Sequence, residues 1–297
     1  MLPLKSKDVD DFLAKPTSGV IDTVRDLDGD VVILGIGGKM GTTLGLMLKR
    51  ALRENGKENR VIGVSRFSNV DARENLEANG IETVSCDLSD QVAVNQLTDC
   101  PNVFFLVAQK FGTSDRPEAT WVQNVLVPSY VAQRYKHSRI VAFSTGCVYP
   151  FAEIDSGGCK ETDEMDPVGE YASSCIGRER VFSHFSREYR TAVCFYRLNY
   201  AIDLRYGVLV DLAKKVMNGE EIDLATGHVN VIWQGDAVAR AIQCLPHCST
   251  PPSIFNITGE ETLKVRDLAV KFAGEFGVEH TFSGSEKPAC WLSHATK

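Results

Sequence analysis

The chain has 297 residues, 43% of them hydrophobic and 24% charged, and a formal net charge of -7. That length can bury a large core in one α/β unit or two lobes, and the acidic balance argues against a broad nucleic-acid or acidic-membrane footprint. No apolar run approaches the roughly 20 residues of a membrane span, and the opening "MLPLKSKDVDDFLAKP" is too acidic and too interrupted for a signal peptide.

Val20, Ile21, Val24 and Leu27 recur at helical spacing and predict a short amphipathic helix within 18–28. From Asp30 the period changes: "DVVILGIGGKMGTTLGLMLKRAL" is a continuous apolar run, a glycine cluster, then a helix. Four more short β-rich runs follow at 59–67, 82–88, 102–108 and 138–145, most of them separated by helical stretches. Strands that are apolar throughout and alternate with helices predict an α/β, doubly wound parallel sheet covered on both faces. A long helix at 170–190 leads to a sixth strand at 191–199. Beyond it come a helix at about 207–218, short strands near 222–233, a helix at about 235–245, the strand-like "SIFNITG" and a helix from about 263. The expected organisation is an N-terminal helical extension (1–29), an α/β domain (30–200) and a small lobe (201–297), from which about 230–245 returns to the first domain.

The nine cysteines are odd in number and show no paired CxxC. "CLPHC" (Cys244, His247, Cys248) has ligand-like spacing but lacks a second half-site, so a helix end followed by a loop is the better reading and no metal is expected. Several cysteines lie in apolar runs, where a reduced thiol packs as a small hydrophobe, so a cytoplasmic location is expected.

Gly35, Gly38 and Gly41 form GxxGxxG between the first strand and its helix, with Lys39 and Met40 inside the loop. Glycines there let the backbone turn sharply and approach a pyrophosphate, whose charge sits on free helix N-terminal amides. The second strand ends in Ser65 and Arg66, where an Asp or Glu would favour NAD. No carboxylate repels a 2′-phosphate, and the Arg66 guanidinium can bind one, so NADP is favoured over NAD. Lys39 would add a second positive charge; either cation could instead be a solvated surface group. Asp87, followed by Leu88 after the third strand, either accepts from an adenine amino group or caps a following helix.

Together "GIGGKMG", "CDLSD", "VFFLVAQK", "VQNVLVPS", "FSTGCVYP", "EYASSC", "YRLN" and "FNITG" carry a resemblance to the extended short-chain dehydrogenase/reductase superfamily of the NAD-dependent epimerase/dehydratase type, with YxxxC in place of YxxxK. The resemblance spans nearly everything after residue 30 and implies that 30–200 is a dinucleotide-binding, Rossmann-like domain and 201–297 mainly a substrate-binding lobe. It implies that Ala108, Gln109 and Lys110 line the cofactor, that Asn124 supports the sheet behind them, that Thr145 orients the reacting oxygen and that Tyr171 is the acid/base. Hydride transfer at a carbinol needs a proton removed from its hydroxyl, or delivered to the carbonyl in reverse. A homodimer is likewise expected from the resemblance.

At position 175 the family pattern has a lysine that contacts the nicotinamide ribose, and this chain has Cys175. An ammonium within about 4–6 Å lowers an acid's pKa by ~1–3 units, and a neutral thiol supplies no such charge. Three readings stay open. Cys175 extends an apolar stripe with Phe182, Phe185 and Tyr189; or it is a reactive thiol; or another cation compensates, with Lys110 the first candidate and Lys160 the second.

Gly146 and Cys147 stand where 4,6-dehydratases carry an Asp-Glu pair, and Val229 and Asn230 where nucleotide-sugar epimerases carry an arginine. A smaller carbohydrate-like or keto-acid substrate is therefore favoured, with Asn199, Arg205 and Tyr206 as candidate contacts. Arg205 would meet a carboxylate or phosphate, or equally form a surface salt bridge. The leading function is an NADP(H)-dependent oxidoreductase or epimerase; the rival is a catalytically silent dinucleotide-binding sensor or scaffold.

Overall fold

The apolar run Val31–Leu34 is buried at all four positions, as a strand covered on both faces must be. The computed structural model describes residue 5 and residues 8–110 and 116–295. In chain order its first elements are α1 (Val9–Leu13), α2 (Ser18–Arg25), β1 (Val31–Leu34), α3 (Lys39–Glu54), β2 (Val61–Ser65), α4 (Val70–Ala78) and β3 (Glu82–Ser85). Next are α5 (Gln91–Asn95), β4 (Asn102–Phe105), α6 (Pro117–Trp121), a π-helical turn (Val122–Leu126), α7 (Val127–Arg134) and β5 (Arg139–Thr145). There follow β6 (Ala152–Glu153), α8 (Gly169–Tyr189), β7 (Ala192–Leu198), β8 (Ala201–Ile202), α9 (Val208–Met217), β9 (Ile222–Asp223), β10 (His228–Val229) and β11 (Ile232–Trp233). The last are α10 (Gln234–Gln243), β12 (Ser253–Ile257), β13 (Leu263–Lys264), α11 (Val265–Phe276), β14 (Phe282–Ser283) and β15 (Ala289–Cys290).

A seven-stranded sheet has the order β12-β7-β5-β4-β1-β2-β3, and β1–β2, β1–β4, β2–β3 and β4–β5 pair in parallel. The order reverses at β1, the switch point beside which ligands bind at the strands' C-terminal ends. One face packs Val32, Leu34, Val64, Val103, Phe105 and Phe195 of the sheet against Val131 and Phe182, with the Phe105 and Phe182 rings edge to face at 5.4 Å. The edge strand β3 is correspondingly less buried. The N-terminal helices join this unit: Thr17 caps α2 by accepting from Val20 N, Val20 and Val24 are buried, and Asn55 on α3's end donates to Ile21 O (2.9 Å).

The chain divides into two compact units. The first comprises 1–145, 168–196 and 238–254; the second comprises 146–167, 197–237 and 255–297. Residues 146–167, grouped from the sequence with the dinucleotide domain, thus join the second unit, because β6 pairs there with β15. In the second unit β8 pairs with β11, β9 with β14 and β10 with β13, and α9 and α11 enclose Leu212, Val216, Ala269 and Ala273.

Strands β2, β3 and β4 stop two or three residues short of the apolar runs that predict them. Arg66, Asp87 and Ala108–Lys110 therefore lie in loops past the strand ends, where the backbone has left the ladder. All nine cysteines are free thiols, and burial pushes that of Cys100 up to about 11. "CLPHC" is the end of α10 and a short 3₁₀ turn. Among the described residues no helix is long and apolar enough to cross a membrane, and no group of three or more His, Cys, Asp or Glu could hold a metal ion.

Candidate active site

Gly35 takes φ +91, which disfavours any residue with a Cβ, and donates its N–H to Val64 O (2.8 Å). At Gly41 the reason for glycine is different: a Cβ would stand 2.6 Å from Ile36 Cα and 2.7 Å from Ile36 O. The first turn of α3 thus lies directly against the loop. Gly38 is the N-cap and offers no side chain to the helix amides, so the N-terminus of a 16-residue helix presents its N–H groups and positive dipole end. Exposed Lys39 and half-buried Met40 stand in that turn. The donor set fits a pyrophosphate.

Beyond β2, Ser65 approaches the loop so closely that a Cβ on Gly37 would meet its Oγ at 2.7 Å, and Arg66 is exposed. Asp87 also faces solvent, with Leu88 buried beside it. Asp87 Oδ1 accepts from Ser89 N (2.9 Å) and Ser89 Oγ (2.7 Å). Those bonds, together with the positive charge of Arg66, hold the Asp87 carboxyl below its ordinary range. The helix cap belongs instead to Asp90, which accepts from Val92 N and Ala93 N.

The π-helical turn carries Asn124 into the interior, where it is fully buried. Its side-chain oxygen accepts from Gln109 N (2.9 Å) and Arg178 Nη2 (2.9 Å), and its amide donates to Gln109 O (3.1 Å) and Ser174 Oγ (2.9 Å). Every hydrogen-bonding capacity of the asparagine is filled. Ser174 in turn donates to the main-chain oxygen of Tyr171 (2.8 Å). Ala108 and Lys110, on either side of Gln109, are exposed.

Tyr171 is half-buried in the first turn of α8, and Thr145 is buried at the end of β5. Two neighbouring side chains of α8 bind the residues just before Thr145: Arg178 Nη1 donates to Phe143 O (2.7 Å), and Ser144 Oγ donates to Glu179 (2.6 Å). Arg178 and Glu179 are 2% and 3% exposed. Neither follows from motif matching, since "GRER" reads as a solvated run. Helical spacing offers the missed signal, because 178 lies three residues after 175 and four before 182, on the stripe that Cys175 and Phe182 define. Cys175 is itself wholly buried, which favours its reading as core.

The candidate substrate residues lie in the second unit. Asn199 is buried and donates to Asn230 Oδ1 (2.7 Å), whose amide donates to Ser293 O (2.6 Å). Arg205 donates through Nε (3.0 Å) and Nη2 (2.8 Å) to the buried carboxylate of Asp203, which also accepts from Arg205 N and Tyr206 N. The Tyr206 hydroxyl donates to Gln234. Val229 lines a pocket of about 290 Å³ with Tyr200, Leu209, Leu212, Val265 and Leu268. Burial pushes the Tyr200 phenol up to about 12, so this lining carries no charge near neutral pH.

A model of the "NAD dependent epimerase/dehydratase family" matches residues 31–232. Among solved structures, UDP-glucose 4-epimerase from Thermotoga maritima is 18% identical with a TM-score of 0.74, covering 90% of each chain. dTDP-glucose 4,6-dehydratase from Streptomyces venezuelae, solved with NAD and TYD bound, is 17% identical with a TM-score of 0.76, covering 90% of this chain and 88% of that one. UDP-glucose 4-epimerase from Thermus thermophilus, in complex with NAD, is 18% identical with a TM-score of 0.70 and 87% coverage of each. No curated protein matches the chain at comparable significance.

Proposed function

The chain belongs to the NAD dependent epimerase/dehydratase family, and on that premise we propose that it is an NADP(H)-dependent oxidoreductase or epimerase acting on a small carbohydrate-like or keto-acid substrate. The observation that carries this reading is a pair of bonds, Arg178 donating to Phe143 O and Ser144 donating to Glu179, which tie the helix of Tyr171 to the strand end of Thr145. An acid/base and an oxygen-orienting hydroxyl have to be held in one geometry for proton transfer to assist hydride transfer.

The first-turn amides of α3 would hold the pyrophosphate, with Gly35 and Gly41 permitting the approach. Arg66, with Lys39, would bind a 2′-phosphate through charge-assisted hydrogen bonds. The nicotinamide, when bound, accepts or supplies hydride. Thr145 Oγ1 donates a hydrogen bond to the reacting oxygen; Tyr171 gives its phenolic proton to the carbonyl on reduction, and on oxidation its phenolate takes the hydroxyl proton. The uncharged pocket around Val229 supports a substrate without a diphosphate. One observation favours a second reading, a silent dinucleotide-binding sensor: Cys175 is buried where a lysine would contact the ribose.

Turnover of a panel of small ketoses, aldoses and keto acids with NADPH and NADP separates the two. Activity should appear and fall by about 10²–10⁴-fold in Tyr171→Phe, with cofactor binding retained. Activity that survives Tyr171→Phe unchanged sinks the mechanism, and no turnover with any panel member favours the sensor.

A further inference from the structure

Among the described residues Arg178 is the one buried cation of the first unit. Burying a guanidinium is costly unless its donors meet acceptors in good geometry. Its two acceptors, Phe143 O and Asn124 Oδ1, belong to the two elements that flank the candidate site. The guanidinium also faces the Phe105 ring, 5.7 Å from its centroid, and Nε has no hydrogen-bond partner among the described residues. Side chains on a helix lean toward its N-terminus, so this guanidinium covers the turn containing Ser174 and Cys175. A lysine at 175 would add a second cation to the same face within one turn, where like charges repel. The small thiol leaves that face to a single charge.

We propose that Arg178 is a positioning residue for the acid/base tyrosine. It fixes Asn124, and through it both Gln109 and Ser174, so that the buried positive charge of this helix face stands at 178 rather than at 175. The proposal rests on the reading of Tyr171 as the acid/base. Its structural half concerns Arg178 alone: Gln109 N–H and Arg178 Nη2 share one acceptor, Asn124 Oδ1, and Asn124 reaches the Tyr171 main chain through Ser174. Loss of the guanidinium therefore loosens two sequence-distant segments together, the stretch through Gln109 and the first turn of α8.

Hydrogen exchange read by mass spectrometry on the full-length protein tests this half without a substrate. In Arg178→Met, exchange in peptides spanning Gln109 and the first turn of α8 should rise by about 10-fold or more while β2 keeps its protection. Arg178→Lys should restore part of it. With a substrate from the panel, Arg178→Met should lower kcat about 10–100-fold with KM within about 3-fold. Arg178→Met combined with Cys175→Lys should recover kcat by returning the charge one turn earlier. Unchanged exchange at Gln109, equal acceleration throughout the sheet, or an unchanged kcat overturns the proposal. If Arg178→Met does not fold, Arg178→Lys decides: loosening confined to the same two segments supports it, and none overturns it. Tyr171→Phe that stays active removes the acid/base reading while leaving the exchange result standing. Unchanged exchange beside an inactive Tyr171→Phe does the reverse.

Discussion

Arg178 and Arg205 are both arginines on conformationally defined segments, and the two units use them in opposite ways. In the first unit the buried polar side chains Asn124, Ser174, Arg178 and Glu179 bond to groups that flank Thr145 and Tyr171. Tyr171 itself is half-buried, and Lys39 and Arg66 are exposed. In the second unit the candidate substrate residues bond to neighbouring side chains: Asn199 to Asn230, Arg205 to Asp203, Tyr206 to Gln234. Residue type and chain position nominate a ligand contact. The structure adds which side chain each such residue is bonded to.

Beyond the loss of turnover in Tyr171→Phe, the largest expected effect that would break this contrast lies at Asp203. Its buried carboxylate accepts from two main-chain amides and the Arg205 guanidinium, so Asp203→Ala should cost about 2–4 kcal/mol in urea unfolding, with NADPH affinity retained. Arg205→Ala is the sharper probe. A structural role lowers Tm, whereas a raised KM at unchanged Tm would return Arg205 to the substrate and dissolve the contrast. In the first unit, Gly41→Ala forces a methyl against the Ile36 backbone and should cost about 1–3 kcal/mol together with cofactor affinity. A variant with unaltered stability and NADPH binding would show that the loop is not tight.

Arg66→Ala should weaken NADPH binding about 10-fold in a fluorescence titration and leave NADH nearly unchanged. Tighter NADH than NADPH binding by the unaltered protein refutes the cofactor preference. The smallest effect is at Asp87, whose folded-state pKa is held down chiefly by Ser89. Its contribution to stability is present above the unfolded carboxyl value of about 3.9 and is lost as pH falls through the folded value. Ser89→Ala should move the Asp87 titration, followed by carboxyl NMR, upward toward that ordinary value.

Alternation of strand and helix was legible through the central sheet, since continuous apolar runs and a helical period of 3.6 are local properties. So were the glycine loop at Gly35–Gly41 and the strand-end positions of Ser65 and Arg66, because a φ of +91 or an approach of 2.6 Å admits only glycine. The assignment of 146–167 was not legible, because it depends on β6 meeting β15 more than a hundred residues away, about 289–290. Nor was the helix cap in "DLSD", where two aspartates compete and the turn geometry gives the cap to Asp90.

The amino-acid sequence by itself determined the fold class and the glycine loop, and nominated Thr145, Tyr171 and Cys175. The tertiary structure alone decided which cation is buried beside that helix face and which side chain each candidate is bonded to. The reason is range. Asn124 finds Ser174 and Arg178 at separations of 50 and 54 residues, and Asn230 finds Ser293 at 63. No local pattern encodes which donor meets which acceptor across such spans; only the packed chain, which must satisfy every buried polar group, fixes the pairing.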